Sequence, residues 1–344
     1  MEKYSKFDNK PSESGDFELD SILQKYQVAI EKAIKDSRFQ ESPLSQDAQG
    51  VMEAGGKRLR PILVLMSCEA VSSQYTTALP AALAYELAHE ASLVQDDIID
   101  DSDLRHDKET VHKNKGVIGA ILVSDLLIFD IFNQLAKYGS SSLTKKKIAQ
   151  LISYLIRAAN LTIKGEYLES NITKQSGISE DEYLEVAGLK TGALLAAAAA
   201  SGALVGGASE KVIDAMYRFG YNLGIAFQIR DDILDISGDS TRLGKPVMKD
   251  LQNNACNIVL INAMERADAY KQSMISSMLY KKWFALSDMK NLLNLLDELK
   301  SMAYASKLSE KYTSRSRDCL KVLRGSPTKD KLVGLTYALE TRNA

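Results

Sequence analysis

Residues 81–100 read AALAYELAHEASLVQDDIID. The portion before Gln95 is small and apolar at helical spacing, and the end carries Asp96, Asp97 and Asp100, with Asp101 and Asp103 just beyond. A helix carried through this stretch sets Asp96 and Asp100 one turn apart on one face. Carboxylates so close repel one another unless a cation lies between them. Taken alone, the run is equally an exposed acidic helix end. A second copy changes that reading, because Asp231, Asp232 and Asp235 repeat the spacing. Two such helices facing each other supply a hard, oxygen-rich environment of the kind Mg2+ takes, usually shared with phosphate oxygens.

Cations are dispersed along the chain around these acids: Lys57, Arg60, Arg105, Lys190 and Lys245. The segment 55–61, GGKRLRP, loosens the backbone at its glycines and offers Pro61 to the first turn of a helix. A helix N-terminus beside two cations is an anion site. Lys57 and Arg60 are three apart, so a helical turn aims both the same way. His89, His106 and His112 all fall astride the first Asp motif, yet without metal-ligand spacing. No Ser-His-Asp set or Gly-rich nucleotide loop is evident. Acids with a metal and scattered cations describe a diphosphate site, and the matching chemistry is ionisation of a diphosphate leaving group.

Composition fits one class. The apolar share of 45% supports a sizeable core, and only 6 Pro and 20 Gly in 344 residues favour helix. No stretch alternates by twos for long, so an all-α fold without significant sheet is expected. Residues 1–16 read as disordered, and 17–344 as a single domain. Ser102–Gly116 reads as a polar loop and Val117–Tyr138 as an apolar helix. The net charge of −2 argues against nucleic acid or a general attraction to anionic membranes. Three widely spaced cysteines and a polar N-terminus indicate a reducing, cytoplasmic setting. Thr191–Ala208 lacks charge, but its Ala and Gly content suits a helix buried among close neighbours better than a transmembrane segment.

The motifs occur in order: GGKRLRP (55–61), HEASLVQDDIIDDSDLR (89–105), TVH (110–112), KTGALL (190–195), FQIRDDILD (227–235) and GKP (244–246). This series resembles the trans (E-type) isoprenyl diphosphate synthases of geranylgeranyl or longer-chain type. The resemblance implies a helical bundle around a central cavity and a homodimer. It implies an allylic diphosphate held through a cluster of about three Mg2+ ions between the Asp motifs. That substrate ionises, the double bond of isopentenyl diphosphate attacks the allylic cation, and a proton leaves. By motif position, Asp96, Asp100 and Asp231 match the principal metal ligands, with Asp97, Asp232 and Asp235 supporting. Lys57, Arg60 and His89 match the isopentenyl diphosphate site. Arg105, Lys190, Thr191, Gln228 and Lys245 match the allylic site, and Lys190 stands with the acids as a catalytic candidate.

The chain departs from that pattern in three places. His106 stands where a second Arg that contacts isopentenyl diphosphate is usual, and it offers a hydrogen bond but a charge only when protonated. Ala255 replaces an allylic-site Lys, and Ser124 replaces a Gly. Weakened diphosphate affinity with intact chemistry is expected. In the family an aromatic just before the first motif stops chain growth. Here Ala91 and Ser92 occupy those positions, and Ala88 and Ala84 continue the face downward. Such small residues serve close helix packing equally well; a product of geranylgeranyl length or longer is expected, with Phe132, Phe129 or Tyr85 as candidate floor. Two alternatives stand beside this reading: a non-catalytic regulatory subunit of a prenyl synthase, and a terpene cyclase. Cyclases lack the GGKRLRP element, so Lys57, Arg60 and His89 favour the condensing enzyme.

Overall fold

A computed structural model describes residues 15–37, 39, 41–106, 108–140, 143–172, 178–237, 256–279 and 286–341. Lys245, Ala255 and most of the expected disordered segment lie outside these residues. The described helices are α1 (Gly15–Asp36), α2 (Ser45–Met52), α3 (Leu59–Ser72), α4 (Leu79–Ile99), α5 (Val111–Ala136), α6 (Lys145–Ile172), α7 (Glu180–Ala187), α8 (Ala193–Val205) and α9 (Glu210–Ser237). Five more follow: α10 (Ile258–Arg266), α11 (Ala269–Leu279), α12 (Leu286–Glu298), α13 (Ser301–Cys319) and α14 (Pro327–Thr341). Among the described residues the only strands are Leu104–Arg105 and Lys108–Glu109, an antiparallel pair with Leu104 opposite Glu109. The fold is all-α, as the absence of sustained alternation requires.

The helices form because their apolar residues recur at threes and fours. In α1, Leu23, Tyr26, Ile30 and Ile34 are buried in that rhythm. The centre of the bundle is α8, where every residue from Ala193 to Leu204 is buried. It packs between α3 and α9, with α6 and α4 alongside. Small residues permit this. A Cβ on Gly202 would lie 2.1 Å from the Val64 carbonyl oxygen, and one on Gly220 would lie 2.3 Å from that of Leu195. The helices therefore meet at backbone distance, and the uncharged stretch around Thr191–Ala208 is a core helix.

Two local readings change. Ser102–Gly116 is not one loop: the chain makes the short hairpin, then starts α5 at Val111. Thr110 ties the segment back, its Oγ1 donating to the Ser102 carbonyl at 2.8 Å and its N–H to that of Asp103 at 3.0 Å. Gly116, at φ 73°, interrupts α5 after its first turn, so the regular helix resumes at Val117, where the apolar pattern begins. Between α7 and α8 the chain also widens into a π turn, Gly188–Gly192. Such single turns accompany functional sites, and this one carries Lys190 and Thr191.

Candidate active site

The first Asp motif closes α4, and its acids diverge. Asp97 is buried and faces Arg105, accepting from Nε at 2.9 and 3.0 Å and from Nη2 at 2.7 Å. Asp100, at the helix end, is exposed. Asp96 is half-buried; burial and then the negative charge of Glu166 push its carboxyl up to about 6, with Asp100 adding to the rise against the pull of Lys190 and Arg105. Asp96 is thus held against ionisation first by burial and then by its acidic neighbours, a condition a bound cation relieves.

The second motif divides in the same way. Asp232 is 1% exposed and holds the frame together. It accepts from the Ile258 N–H at 2.9 Å and from Gln228 Nε2 at 3.1 Å, and Gln228 Oε1 accepts from Thr191 Oγ1 at 2.9 Å. One buried carboxylate so links α9 to α10 and to the π turn. Gln228 serves Asp232 rather than Asp231. Asp231 and Asp235 are half-buried on the same helix. Asp231 and Asp96, one from each motif, both act on the Arg60 guanidinium.

Lys190 is aimed by the π turn into α6. Its Nζ lies 2.7 Å from Glu166 Oε2 and 2.5 Å from Glu169 Oε2. Burial would lower the ammonium's pKa, but Glu169 and Glu166 outweigh it and keep Lys190 charged. Gly165 makes this approach possible, since a Cβ there would lie 2.7 Å from the Lys190 nitrogen. The sequence reading missed both glutamates. Their one signal is an acid pair at i, i+3 on an otherwise amphipathic helix.

The basic side of the site differs from expectation. Lys57 and Arg60 do not share a helical turn, because α3 begins only at Leu59. Arg58 lies between them at φ 49°, which reverses the chain before α3 starts. Lys57 is left exposed ahead of the helix, beside an apolar cleft of Leu59, Leu223 and Phe227. Arg60 turns inward, and its Nε is buried without a hydrogen-bond partner. Burial pulls the Arg60 pKa down, while Glu86, Glu90, Asp231 and Asp96 oppose that pull. His89 is held neutral by burial and by Arg60, Arg105, Arg58 and His106 around it. His106 is exposed, with its Nε2 3.8 Å from where a Cβ on Gly56 would stand, so it borders the glycine loop. Arg58, which sequence reasoning passed over, is buried against Glu31, Glu86 and Glu90.

A cavity of about 440 Å3 opens beneath these groups. His89, Ser92, Leu93 and Asp96 line it from α4, Thr162, Ile163, Glu166 and Tyr167 from α6, and Lys190, Thr191 and Leu194 from the π turn and α8. Its mouth is charged and its wall apolar. Among the described residues no three ligating side chains converge closely enough to hold a cation alone. A cation here needs further oxygens, which is the coordination Mg2+ shares with phosphate. In that sense Asp96, Asp100 and Asp231 fit the metal.

A family model described as polyprenyl synthetase matches residues 41–296. This chain belongs to the polyprenyl synthetase family. It is a prenyl-transferring enzyme. The geranylgeranyl diphosphate synthase of Methanosarcina mazei is 33% identical over 92% of this chain and 94% of that one. The geranylfarnesyl diphosphate synthase of Aeropyrum pernix is 32% identical over 80% and 86%. The crystal structure of geranylgeranyl pyrophosphate synthetase from Pyrococcus horikoshii superposes with a TM-score of 0.82, at 31% identity, over 95% of this chain and 99% of that one. These relatives are all synthases and lend nothing to the regulatory-subunit or cyclase alternatives.

In this prenyl synthase the expected chain-length residues separate. Ser92 lines the cavity, its Oγ donating to the His89 carbonyl at 2.7 Å. Ala91 is buried on another side of α4, where its carbonyl accepts from Ser124 Oγ at 3.3 Å. The position that departs from the family pattern is therefore part of the α4–α5 contact. Ala88 is half-buried and lies below the cavity lining. Phe132 and Phe129 are 51% and 67% exposed on α5 and do not line this cavity. The apolar periodicity there serves an outer face, which sequence alone does not distinguish from an inner one. Tyr85 is the buried candidate, with its hydroxyl 2.8 Å from Ser201 Oγ across the α4–α8 contact.

Proposed function

We propose that this chain condenses isopentenyl diphosphate with an allylic diphosphate to give geranylgeranyl diphosphate or a longer product. The observation that carries the reading is that Arg60, His89, Asp96 and Lys190 line one cavity together with Leu93, Ile163 and Leu194. Asp96, Asp100 and Asp231 would hold a cluster of about three Mg2+ ions together with the allylic diphosphate. When bound, the metal neutralises charge on the departing diphosphate. Lys190 and Arg105 donate to the same group. Each is already oriented, by Glu166 and Glu169 in one case and by Asp97 in the other. Thr191, Gln228 and Asp232 fix that wall, and Asp235 and Lys245 complete the assignment. Arg60, His89, His106 and Lys57 hold isopentenyl diphosphate, with neutral His89 as hydrogen-bond donor. The allylic C–O bond breaks with its electron pair going to diphosphate. The isopentenyl double bond then forms the new C–C bond, and the lost proton goes to the released diphosphate. Incubation of the purified chain with Mg2+, isopentenyl diphosphate and allylic primers of increasing length tests this. Turnover to lengthened products is expected, and none from any primer overturns it.

We read residues 17–344 as a single domain with a cytoplasmic location, in keeping with the free thiols Cys68, Cys256 and Cys319. The product tail would run along Ser92, Leu93 and Ile163 toward the Tyr85–Ser201 contact. Ser92→Phe places a ring in that path and is expected to shorten the dominant product by roughly one isoprene unit. Sizing the products by chromatography checks it, and an unchanged ladder refutes the path.

We further propose a homodimer formed through α5. Ile118, Ile121, Leu122, Phe129 and Phe132 make an exposed stripe at helical spacing, with Ile118 at 77% exposure. A helix this apolar passes the length test for a membrane span while burying only 28% of its most apolar window. An exposed apolar face of this extent is one that a partner covers, and we read that partner as a second copy. The double variant Ile118→Asp, Phe129→Asp is expected to be monomeric by light scattering where the parent is dimeric. A monomeric parent refutes the proposal.

A further inference from the structure

One group of buried acids has no task in the site as assigned. Glu86 and Glu90 stand one turn apart on α4, with side chains 2% and 8% exposed. Both reach the same atom, Arg58 Nη1, at 2.6 and 3.0 Å. Arg58 has little left to offer them: its Nε donates to Glu31 at 2.9 Å and its Nη2 to the Met52 carbonyl. Glu86 Oε2 is buried with no hydrogen-bond partner. Two like charges packed this closely away from water favour retention of one proton between them. Burial, and then Glu86, pushes the Glu90 carboxyl up to about 8 against the pull of Arg58, Arg105 and Arg60. Burial raises Glu86 as well, offset by Arg58 and Arg60.

The surroundings of this pair are those of the isopentenyl site. Arg58, Arg60 and Arg105, the guanidiniums that act on Glu90, also surround His89. The charged groups acting on the pair are Glu31 from α1, Arg58 and Arg60 at the start of α3, and Arg105 from the hairpin; His106 acts on His89, one residue before Glu90. Asp96 and Asp231 also act on Arg60. We propose that Glu86 and Glu90 share one proton, and that isopentenyl diphosphate binding at Arg60 and His89 is coupled to tighter retention of that proton. The substrate's anionic head draws on the same positive field that otherwise stabilises the second carboxylate. A bound anion therefore favours the singly protonated pair, and the doubly ionised pair weakens the hold of Arg60 on the anion. Glu90 is a positioning residue in this scheme, acting through Arg60 without touching substrate.

The inference rests on the assignment of Arg60 and His89 to isopentenyl diphosphate, and two measurements separate the two claims. Carbon-13 spectra of glutamate-labelled, metal-free protein are expected to show a carboxyl titrating near pH 8 that Glu90→Gln removes. No carboxyl titrating above about pH 7 overturns the shared proton. Calorimetry of isopentenyl diphosphate binding, between about pH 7.5 and 9 in buffers of different ionisation enthalpy, reads the coupling. The parent is expected to take up protons on binding and to lose affinity by up to about tenfold per pH unit at the top of that range. Glu90→Gln, the neutral isostere, is expected to bind with no proton uptake and a flat profile. It leaves Glu31 and Glu86 on Arg58, and Glu86→Gln serves as a second variant with the same expected profile. A parental slope in both variants overturns the coupling. Arg60→Gln binding as tightly as the parent overturns the site assignment instead, while the carboxyl titration, moved further upward by the loss of Arg60, still reads the shared proton.

Discussion

Asp96→Asn is expected to leave a folded protein whose turnover with Mg2+ has fallen by about three orders of magnitude or more. Asp96 is the acid that burial and Glu166 hold against ionisation, while its neighbour Asp97 is already paired with Arg105. The variant also has a signature that a merely damaged fold would not show. The folded carboxyl is raised from 3.8 to about 6, so its contribution to stability is fully present below the unfolded value and lost as pH rises through about 6. At neutral pH the ionised group therefore costs the metal-free parent about 1–3 kcal/mol. Asn removes that cost. In chelator at neutral pH, Asp96→Asn is expected to melt above the parent, and below about pH 4 the two converge. Mg2+ with inorganic diphosphate is expected to raise the melting temperature of the parent and not of the variant. A variant that melts lower in chelator, or that retains turnover, removes Asp96 from the metal site.

Arg58→Met is expected to carry the largest stability loss, about 3–5 kcal/mol. Arg58 is 3% exposed and donates to Glu31, Glu86, Glu90 and the Met52 carbonyl. Met fills similar volume but leaves two buried acids and a carbonyl without their donor. Breaking a buried ion pair from one side costs far more than replacing the whole group. The triple variant Arg58→Met, Glu86→Gln, Glu90→Gln is accordingly expected to recover more than half of the loss. Urea denaturation with the midpoint followed at constant slope measures both. Equal destabilisation of the single and triple variants would mean that the cluster is not the source.

The paired Asp motifs, the cations between them and the helical class were legible in the chain because each is a matter of spacing. An i, i+4 acid pair stays on one helix face whatever the helix packs against. The same is true of the small residues of α8, whose size alone announces close packing. Other features were not legible because they depend on which way a helix turns its faces. Phe129 and Phe132 carry the same periodicity as a buried helix, yet their face lies outside. Lys57 and Arg60 lie three apart, but the left-handed Arg58 breaks the turn that would align them. Glu166, Glu169, Glu86 and Glu90 are ordinary helix acids by pattern, and only the π turn and the inward Arg58 give them partners.

The sequence by itself therefore determined the class, the diphosphate chemistry and the two acid clusters, because local spacing carries that information. The tertiary structure decided the division of labour within each cluster. Asp97 and Asp232 are consumed by Arg105 and by the Ile258 N–H and Gln228, while the charges of Asp96 and Asp231 both act on Arg60. Identical residues at identical spacing take different roles because each is set by the charge and the hydrogen-bond donors that distant segments bring against it.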